Sequence, residues 1–490
     1  MNVLLIYPVR PPSHWPVGRF RSFWVPTGLA YLAAGLRRAG HAVRVHVREE
    51  QLIKNGMDWQ GADQEIRRLL TEFQPDMVGL SATTPCIPEA SALARLAKEI
   101  CGPGVTVIAG GPHPSAVPEM TLAECPQIDA VVVGEGEETI VELANRGLGK
   151  DVAGIVIRDP DRPGEFIRTP ARPLVTDLDR LGPLPYDLFD MKHYTQPSRW
   201  LIRWLELPAT NIRTSRGCTN RCRFCGGHLV SGVGVRCHSI PYVIQQMRYA
   251  VEQFGVKAIL FEDETLGAHR ARLMDLCEAI RRNDLHKRVV WQGCLRVDQV
   301  DAELLAGMKS AGCIQIEYGF ESGSDEALQR LGKGARVEQN RRAVRLMREA
   351  GLRTFADIMV GLPGETEEDF GATLAFLRWA KPQVIGLARL CPLPGTPVFQ
   401  NLPEEARQSL DWAGYSYLDH PGFRLNLTAM PDARFERLYR QLDKYVIRPA
   451  TTLAMLRDTP PGDVAEHRRL RKQFRRFALR HPLRAIRLPR

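Results

Sequence analysis

Residues 218–237 read CTNRCRFCGGHLVSGVGVRC, and the number of metal ligands in this stretch decides what kind of domain surrounds it. Cys218, Cys222 and Cys225 form a C-x3-C-x2-C frame. Cys237 follows with eleven residues between, and His228 and His238 lie close by. Thiolates three and four residues apart on a loop can converge on one soft metal centre. Two ligand sets are open: zinc with four ligands, or an iron–sulfur cubane. Structural zinc usually carries two Cys-x2-Cys pairs, or Cys pairs with His. No second pair exists here, although Gly232-Val233-Gly234 reads as a flexible stretch that could return Cys237 to the centre.

The flanks of the cysteine stretch alternate strand and helix patterns. Downstream of about residue 205, apolar runs at 208–215, 257–262, 288–297, 314–321, 353–361 and 384–391 read as strands. Six βα units suggest a partial (β/α)6 barrel rather than the eight units of a closed one. Upstream, Val3–Tyr7, Ala42–Val47, Met77–Ala82, Val105–Ala109 and Ala130–Gly134 are short β-branched strands. Helical patterns near 27–39, 62–73, 88–100 and 136–145 separate them. That alternation predicts a doubly wound, Rossmann-like α/β domain over 1–150, with ligands at the carboxyl ends of its strands. Val152–Ile157 and Glu165–Arg168 flank a turn-rich segment and read as a hairpin, and Leu181-Gly182-Pro183-Leu184-Pro185 as a stiff linker. The expected division is 1–150, a hairpin and linker over 151–204, the barrel over 205–400, and a mainly helical region over 401–490.

Composition bounds the function. The 490-residue chain is 44% apolar and 25% charged, which suits a soluble globular protein and excludes a disordered one. No apolar run approaches the ~18 residues of a membrane span. Eleven cysteines, an odd number scattered outside the one cluster, do not form a disulfide framework, and a cytoplasmic location is expected. The net charge of +10 resides in residues 468–490, which hold ten Lys or Arg and no acid. The body is therefore neutral, and no general nucleic-acid-binding face is expected.

With its aromatic Phe224 and a strand carrying Arg213, Ser215 and Arg216 before it, the cysteine frame resembles the cluster motif of radical S-adenosylmethionine (SAM) enzymes. The order of later segments agrees: Phe261-Glu262-Asp263-Glu264-Thr265, Gly319-Phe320-Glu321-Ser322-Gly323-Ser324, Gly361-Leu362-Pro363-Gly364-Glu365-Thr366 and Pro392-Leu393-Pro394-Gly395-Thr396-Pro397. Each follows a strand, where a βα barrel builds its site. In the N-terminal region Ser81-Ala82-Thr83-Thr84, Gly110-Gly111-Pro112-His113-Pro114 and Gly134-Glu135-Gly136-Glu137 resemble the loops of the cobalamin-binding domain found in the B12-dependent branch of that family. No Asp-x-His-x-x-Gly occurs, so a histidine replacing the lower axial base is not signalled. His113 is read as a contact to the nucleotide tail or a turn cap rather than a cobalt ligand.

The resemblance implies three cofactors: a [4Fe–4S] cluster on Cys218, Cys222 and Cys225, SAM on its open iron, and cobalamin. It places Phe224 near the adenine, Asp263 or Glu264 at the SAM ammonium, and Glu321 or Ser322 at the ribose or amino-acid end. Glu262 is equally a residue of the barrel core paired with a basic group. Ser81, Thr83, Gly110, Gly111, His113, Gly134, Glu135 and Gly136 are the implied cobalamin contacts. The implied reaction begins with reductive cleavage of SAM to a 5′-deoxyadenosyl radical, fed by an electron donor such as flavodoxin or ferredoxin. Cobalamin then most often carries a methyl group to an unactivated carbon or phosphorus. Ring formation or rearrangement without net methylation is the alternative within the branch, and a non-catalytic metal-binding or redox-sensing module the alternative outside it.

Cys101, Cys277, Cys294 and Cys313 read as small apolar residues. Cys391 is expected at the barrel mouth, where it could touch substrate. In 464–480, Leu470, Phe474 and Phe477 form an apolar stripe on a basic helix. Such a helix can dock on the body or lie on an anionic membrane, which would suit a lipid-like substrate. Read with its flanks, the opening stretch divides after Cys225, leaving Cys237 outside the ligand set. Cys237→Ala is expected to retain the iron of the wild-type chain on elemental analysis, whereas loss of about one cluster per chain would make it a ligand.

Overall fold

The computed structural model describes residues 1–10, 24–56, 58–197, 201–202, 205–408, 410–415 and 425–446. The basic tail and its proposed membrane stripe lie outside the described residues. The chain divides into two compact units, and the division is not the one the sequence suggests.

The first unit is built on β1 (Asn2–Tyr7), whose Val3, Leu4, Leu5 and Ile6 are all buried. A strand with no polar face must be covered on both sides, the signature of a parallel sheet. β1 is joined by β2 (Ala42–Val47), β3 (Met77–Ser81), β4 (Thr106–Gly110) and β5 (Ala130–Val132), all parallel, with helices Thr27–Arg38, Trp59–Phe73, Ile87–Cys101 and Glu137–Arg146 between them. The predicted hairpin exists as β6 (Ile155–Arg158) and β7 (Phe166–Arg168). It extends the sheet, because β6 pairs antiparallel with β5 at Val131↔Val156. The sheet order is β2-β1-β3-β4-β5-β6-β7, so the hairpin covers what would otherwise be an exposed edge of β5. The order reverses at β1, the place where open α/β sheets bind ligands beyond the carboxyl ends of their strands.

The second unit is a six-stranded, all-parallel sheet. Its strands are β8 (Ala209–Ile212), then, after a two-strand ladder of β9 (Ser215–Arg216) and β10 (Arg236–Cys237) belonging to the first unit, β11 (Ala258–Phe261), β12 (Val290–Leu295), β13 (Cys313–Glu321), β14 (Arg353–Val360) and β15 (Val384–Arg389). The order β15-β14-β13-β12-β11-β8 is the partial barrel that six βα units imply. Alternation places Ile316, Tyr318 and Phe320 of β13 in the core beneath the helices, and puts Gln315, Glu317 and Gly319 on the opposite face. Trp291, fully buried on β12, has its indole N–H satisfied by the Ala311 carbonyl at 2.8 Å. Helix starts are capped by side chains: Asp301 accepts from Leu304 N–H, and Thr366 and Asp369 form a capping box on helix Glu367–Ala380.

One strand boundary is corrected. The predicted strand 208–215 ends at Ile212, because Ser215 and Arg216 pair with Cys237 and Arg236 instead. By its contacts the first unit runs through His193 and takes in Ser215–Ser239 and the segment that begins at Cys391. The helical character expected after 400 is found in Glu404–Gln408 and Asp432–Val446, which fall in different units. No helix among the described residues is long and apolar enough to cross a membrane.

Glu365 stores a titration in the second fold. Its carboxylate accepts the N–H groups of Gly361 (2.7 Å) and Leu362 (3.2 Å), bracing the Gly-Leu-Pro-Gly turn. Burial, with the Asp369 charge, outweighs those hydrogen bonds and pushes the carboxyl up to about 7. The folded chain therefore binds this proton more tightly than the unfolded chain, and the associated stability falls as pH rises from about 4.5 to 7. At roughly 1.4 kcal/mol per pKa unit the loss is about 3 kcal/mol. Glu365→Gln keeps the acceptor oxygen, so its thermal midpoint is expected to fall less than that of the wild type between pH 5 and 8.

Candidate functional site

The cluster loop grows from the β9–β10 ladder. Gly217 has φ +92°, and a Cβ there would stand 2.2 Å from the Gly234 carbonyl oxygen, so only glycine lets the two backbones approach. Cys218 pairs with Val233, and Gly234 N–H donates to the Cys218 carbonyl at 3.1 Å. Gly232-Val233-Gly234 is therefore a buttress for the first cysteine rather than a flexible arm, and Cys237 is fixed in the ladder opposite Ser215. Cys222 is buried, Cys218 half-buried and Cys225 exposed. Asn220 N–H points at Cys218 Sγ (3.5 Å) and Gly227 N–H at Cys225 Sγ (3.4 Å), and Cys225 N–H donates to the Cys222 carbonyl. Phe224 is half-buried between them. Among the described residues no three Cys, His, Asp or Glu stand close enough to define a metal site. The donor set is nonetheless that of an iron–sulfur cluster, three soft thiols with two of their sulfurs facing backbone N–H groups, so the loop fits the cluster that its motif implies.

The loop is clamped to the N-terminal sheet by buried charge. Arg216, two residues before Cys218, donates to Glu135 (3.0 Å) and Glu137 (2.7 Å), and its guanidinium lies 4.7 Å from the centre of the Tyr31 ring. Arg236 grips both oxygens of Glu135 at 2.8 Å. Burial pushes the Glu135 carboxyl up, but Arg236 and Arg216 together outweigh it and hold it below its ordinary value. His238 joins Asp179 (Nδ1, 2.9 Å) to the Tyr31 hydroxyl (Nε2, 3.0 Å) just behind. Glu135, one of the implied cobalamin contacts, thus binds two arginines with its side chain. Arg236, Tyr31 and Asp179 carried no motif, and Glu137 stood in Gly-Glu-Gly-Glu without an assigned role. Their only sequence signal is complementary charge, acids in Gly-Glu-Gly-Glu and arginines at both ends of the cysteine loop.

The other implied cobalamin residues gather at the carboxyl ends of β3, β4 and β5. Ser81 ends β3 and Thr83 follows, its hydroxyl directed at Cys86 Sγ. Gly111 (φ +93°) packs on the Ala82 backbone. Gly134 N–H donates to Ser115 Oγ, and Gly110 and Gly136 sit beside the Val132 strand end. His113 is buried, its Nδ1 3.2 Å from Thr84 Oγ1, its ring edge-on to Trp412, and its Nε2 without a hydrogen-bond partner among the described residues. Burial lowers its pKa to about 3, so the imidazole is neutral. A cluster of small residues around an orphaned ring nitrogen fits a ligand with polar edges. Trp412 belongs to the recruited segment Cys391–Arg424, as does Cys391, which is buried. In the same segment Val398 N–H donates to the Arg223 carbonyl within the cluster loop, and Gly395 packs on Ala116 and Leu229. The Pro-Leu-Pro-Gly-Thr-Pro turn therefore supports the cysteine loop of the first unit, not the barrel strands.

In the second unit the residues implied for SAM divide in two. Asp263 is buried and accepts Thr214 N–H (2.7 Å) and Thr214 Oγ1–H (2.6 Å), so both its oxygens secure the end of β8. Ser322 is also buried, its hydroxyl on Thr373 (2.9 Å). A Cβ at the neighbouring Gly323 would meet the Ala372 carbonyl at 2.6 Å, so this part of the motif packs the loop onto a helix. Asp263 and Ser322 thus each hold a structural hydrogen bond at the place the motif assigns to SAM. Glu264 pairs with Arg213 (3.2 Å), and Glu262 meets Asn211 (2.9 Å) and Arg213 (3.4 Å), the basic pairing expected of it. Glu321, at φ +60° beside a register shift between β13 and β14, pairs with Lys333 at 2.7 Å. Strain of this kind in a non-glycine residue concentrates at functional sites.

Comparison with known proteins agrees with this geometry. Residues 15–144 match the B12 binding domain and residues 212–377 the radical SAM superfamily. An uncharacterized methyltransferase of Pyrococcus horikoshii is 32% identical over 86% of this chain and 88% of its own length. The chain belongs to the B12-binding radical SAM enzymes. Family membership brings cobalamin, a [4Fe–4S] cluster and SAM as its cofactors. An anaerobic magnesium-protoporphyrin IX monomethyl ester cyclase of Rubrivivax gelatinosus is 29% identical over 85% of this chain and 73% of its own length. A cytidylyl-2-hydroxyethylphosphonate methyltransferase of Streptomyces wedmorensis is 25% identical over 76% of this chain and 77% of its own. The fold is shared with the radical SAM methyltransferase TsrM of Kitasatospora setae (TM-score 0.64, 21% identity, 81% of this chain and 73% of that one). It is also shared with the cobalamin-dependent enzyme OxsB (TM-score 0.69, 19% identity, 96% and 70%).

Because Asp263 holds Thr214 with two hydrogen bonds to a buried carboxylate, Asp263→Ala is expected to lower stability by about 2–4 kcal/mol, at 1.5–3 kcal/mol for each charged hydrogen bond less relaxation. Chemical denaturation of the apo chain checks it. An unchanged midpoint would free Asp263 for a ligand.

Proposed function

We propose that this chain is a cobalamin-dependent radical SAM methyltransferase that transfers a methyl group from SAM to an unactivated carbon or phosphorus of a small molecule. One observation carries the reading: the three-cysteine loop and the loops after β3, β4 and β5 are packed into one unit. Groups that must exchange electrons and a methyl group need such shared support. When bound, the cluster and SAM supply hydrogen abstraction from an unactivated position, and cobalamin supplies the methyl group.

The chain's own residues bind, orient and exclude water. Cys218, Cys222 and Cys225 hold the cluster, and Phe224 packs beside it. Glu264 and Glu321 serve the ammonium and ribose ends of SAM, Glu321 with its charge balanced by Lys333. Ser81, Thr83, Gly110, Gly111, Gly134, Gly136 and His113 line the cobalamin site. The neutral His113 imidazole suits a hydrogen bond to the polar rim or tail of the ligand. A flavodoxin- or ferredoxin-type protein supplies the electron. The scattered cysteines favour a cytoplasmic setting. The apolar residues Leu470, Phe474 and Phe477, set at helical spacing among basic ones, favour peripheral contact with an anionic membrane and a lipid-like substrate.

A second reading is ring formation without net methylation, which the similarity to the Rubrivivax gelatinosus cyclase favours. Anaerobic reconstitution with SAM, cobalamin and a reductant, in the presence of candidate substrates, separates the two. The methyltransferase is expected to release both 5′-deoxyadenosine and S-adenosylhomocysteine. Release of 5′-deoxyadenosine alone would support ring formation.

A further inference from the structure

We infer that Glu135 is a positioning residue for the iron–sulfur loop, acting through Arg216 and Arg236 from the opposite side of the loop's base. The inference rests on the assignment of the cluster to Cys218, Cys222 and Cys225. The side chain of Glu135 is 6% exposed, and those of Arg216 and Arg236 are 7% and 14% exposed. Two guanidiniums and the carboxylates of Glu135 and Glu137 thus form a balanced set of four charges withdrawn from water. Such a set is held by mutual pairing, and removing one member leaves an uncompensated charge that is strongly destabilising.

The placement of the four groups gives the set its role. Arg216 and Arg236 face each other across the β9–β10 ladder, so one carboxylate fixes both strands from which the cysteine loop leaves and to which it returns. Arg236 also donates to the carbonyls of Val175 (2.6 Å) and Ser231 (2.8 Å), closing the end of the short helix Gly227–Ser231 that follows Cys225. The Tyr31 ring covers the remaining face of Arg216. Glu135 itself sits in the turn whose Gly134 N–H is held by Ser115, next to His113. The Gly-Glu-Gly-Glu turn is therefore bonded to the implied cobalamin loop on one side and to the base of the cluster loop on the other. Its acids set where the cluster loop stands and the charge that its sulfurs experience.

Neutralising Glu135 leaves a net positive charge buried two residues from Cys218. Glu135→Gln is therefore expected to shift the cluster's midpoint potential in the positive direction, or, if the loop yields, to lower iron content. Glu135→Gln combined with Arg236→Gln restores the charge balance, and is expected to return whichever quantity moved toward the wild-type value. A residue that merely fills space would not be rescued by losing a second charge. The measurements are iron content and electron paramagnetic resonance-monitored redox titration of the reconstituted chain, with thermal melts of the apo chain as a double-mutant cycle. A Glu135→Gln protein equal to wild type in all three would overturn the inference, as would a double variant no closer to wild type than the single one. Failure of the cluster assignment is distinguishable. It would appear as full iron content in Cys222→Ala, while the apo-chain cycle would still report on the charge set.

Discussion

A single buried carboxylate joins two ends of the sequence that no local pattern connects. Glu135 stands between Arg216 and Arg236, and the cysteine loop can be ordered only if both arginines are neutralised where they leave water. The energetic logic is asymmetric. Forming the set gains little over an apolar substitute, but breaking it costs several kcal/mol, so it acts mainly to specify one geometry. Around it the remaining supports are individually modest: the β9–β10 pairing, the Gly217–Gly234 approach and the hydrogen bond from Val398 to Arg223. Together they place the loop on the unit that also carries the Gly-rich turns.

The arrangement gives several motif residues a structural task. Asp263 and Ser322 occupy positions where a ligand group is expected, and each holds a strand end or a loop against its neighbour. A site built to place reacting groups within a fraction of an ångström needs such residues as much as it needs ligands. Glu321 shows the complementary case. It adopts a left-handed backbone and pairs with Lys333, the kind of strained position that concentrates at functional sites.

Much of the architecture was legible because strands buried on both faces leave an unambiguous apolar run. Val3–Ile6 was found for that reason, and Ala42–Val47 and the last five barrel strands were found within a residue or two from their β-branched and apolar runs. The cysteine frame was legible because thiolate spacing is a chemical constraint. The partners of Glu135, Asp263 and the Pro-Leu-Pro-Gly-Thr-Pro turn were not legible, because a carboxylate or glycine-proline turn after a strand has the same sequence whether it faces a ligand or a distant segment. Its pairing depends on residues such as Arg216, Thr214 and Arg223, and nothing local encodes those pairings. The pairing of the hairpin with β5 was hidden in the same way. The need to cover the edge of β5 is a property of the sheet, not of the hairpin that meets it.

The discontinuity of the first unit has a consequence for how the protein is made. Its sheet is encoded before residue 170, but the cysteine loop and the Trp412 segment that complete it come from far downstream. During synthesis the N-terminal sheet therefore emerges with Arg216's acidic partners and the His113 surface uncovered. It must wait for the whole half-barrel to be translated before its last piece arrives. Long-range closure of this kind slows folding and lengthens exposure of unfinished surfaces. The base of the cluster loop is therefore completed in two instalments, first by the Arg216–Arg236 ladder and later by the segment that begins at Cys391.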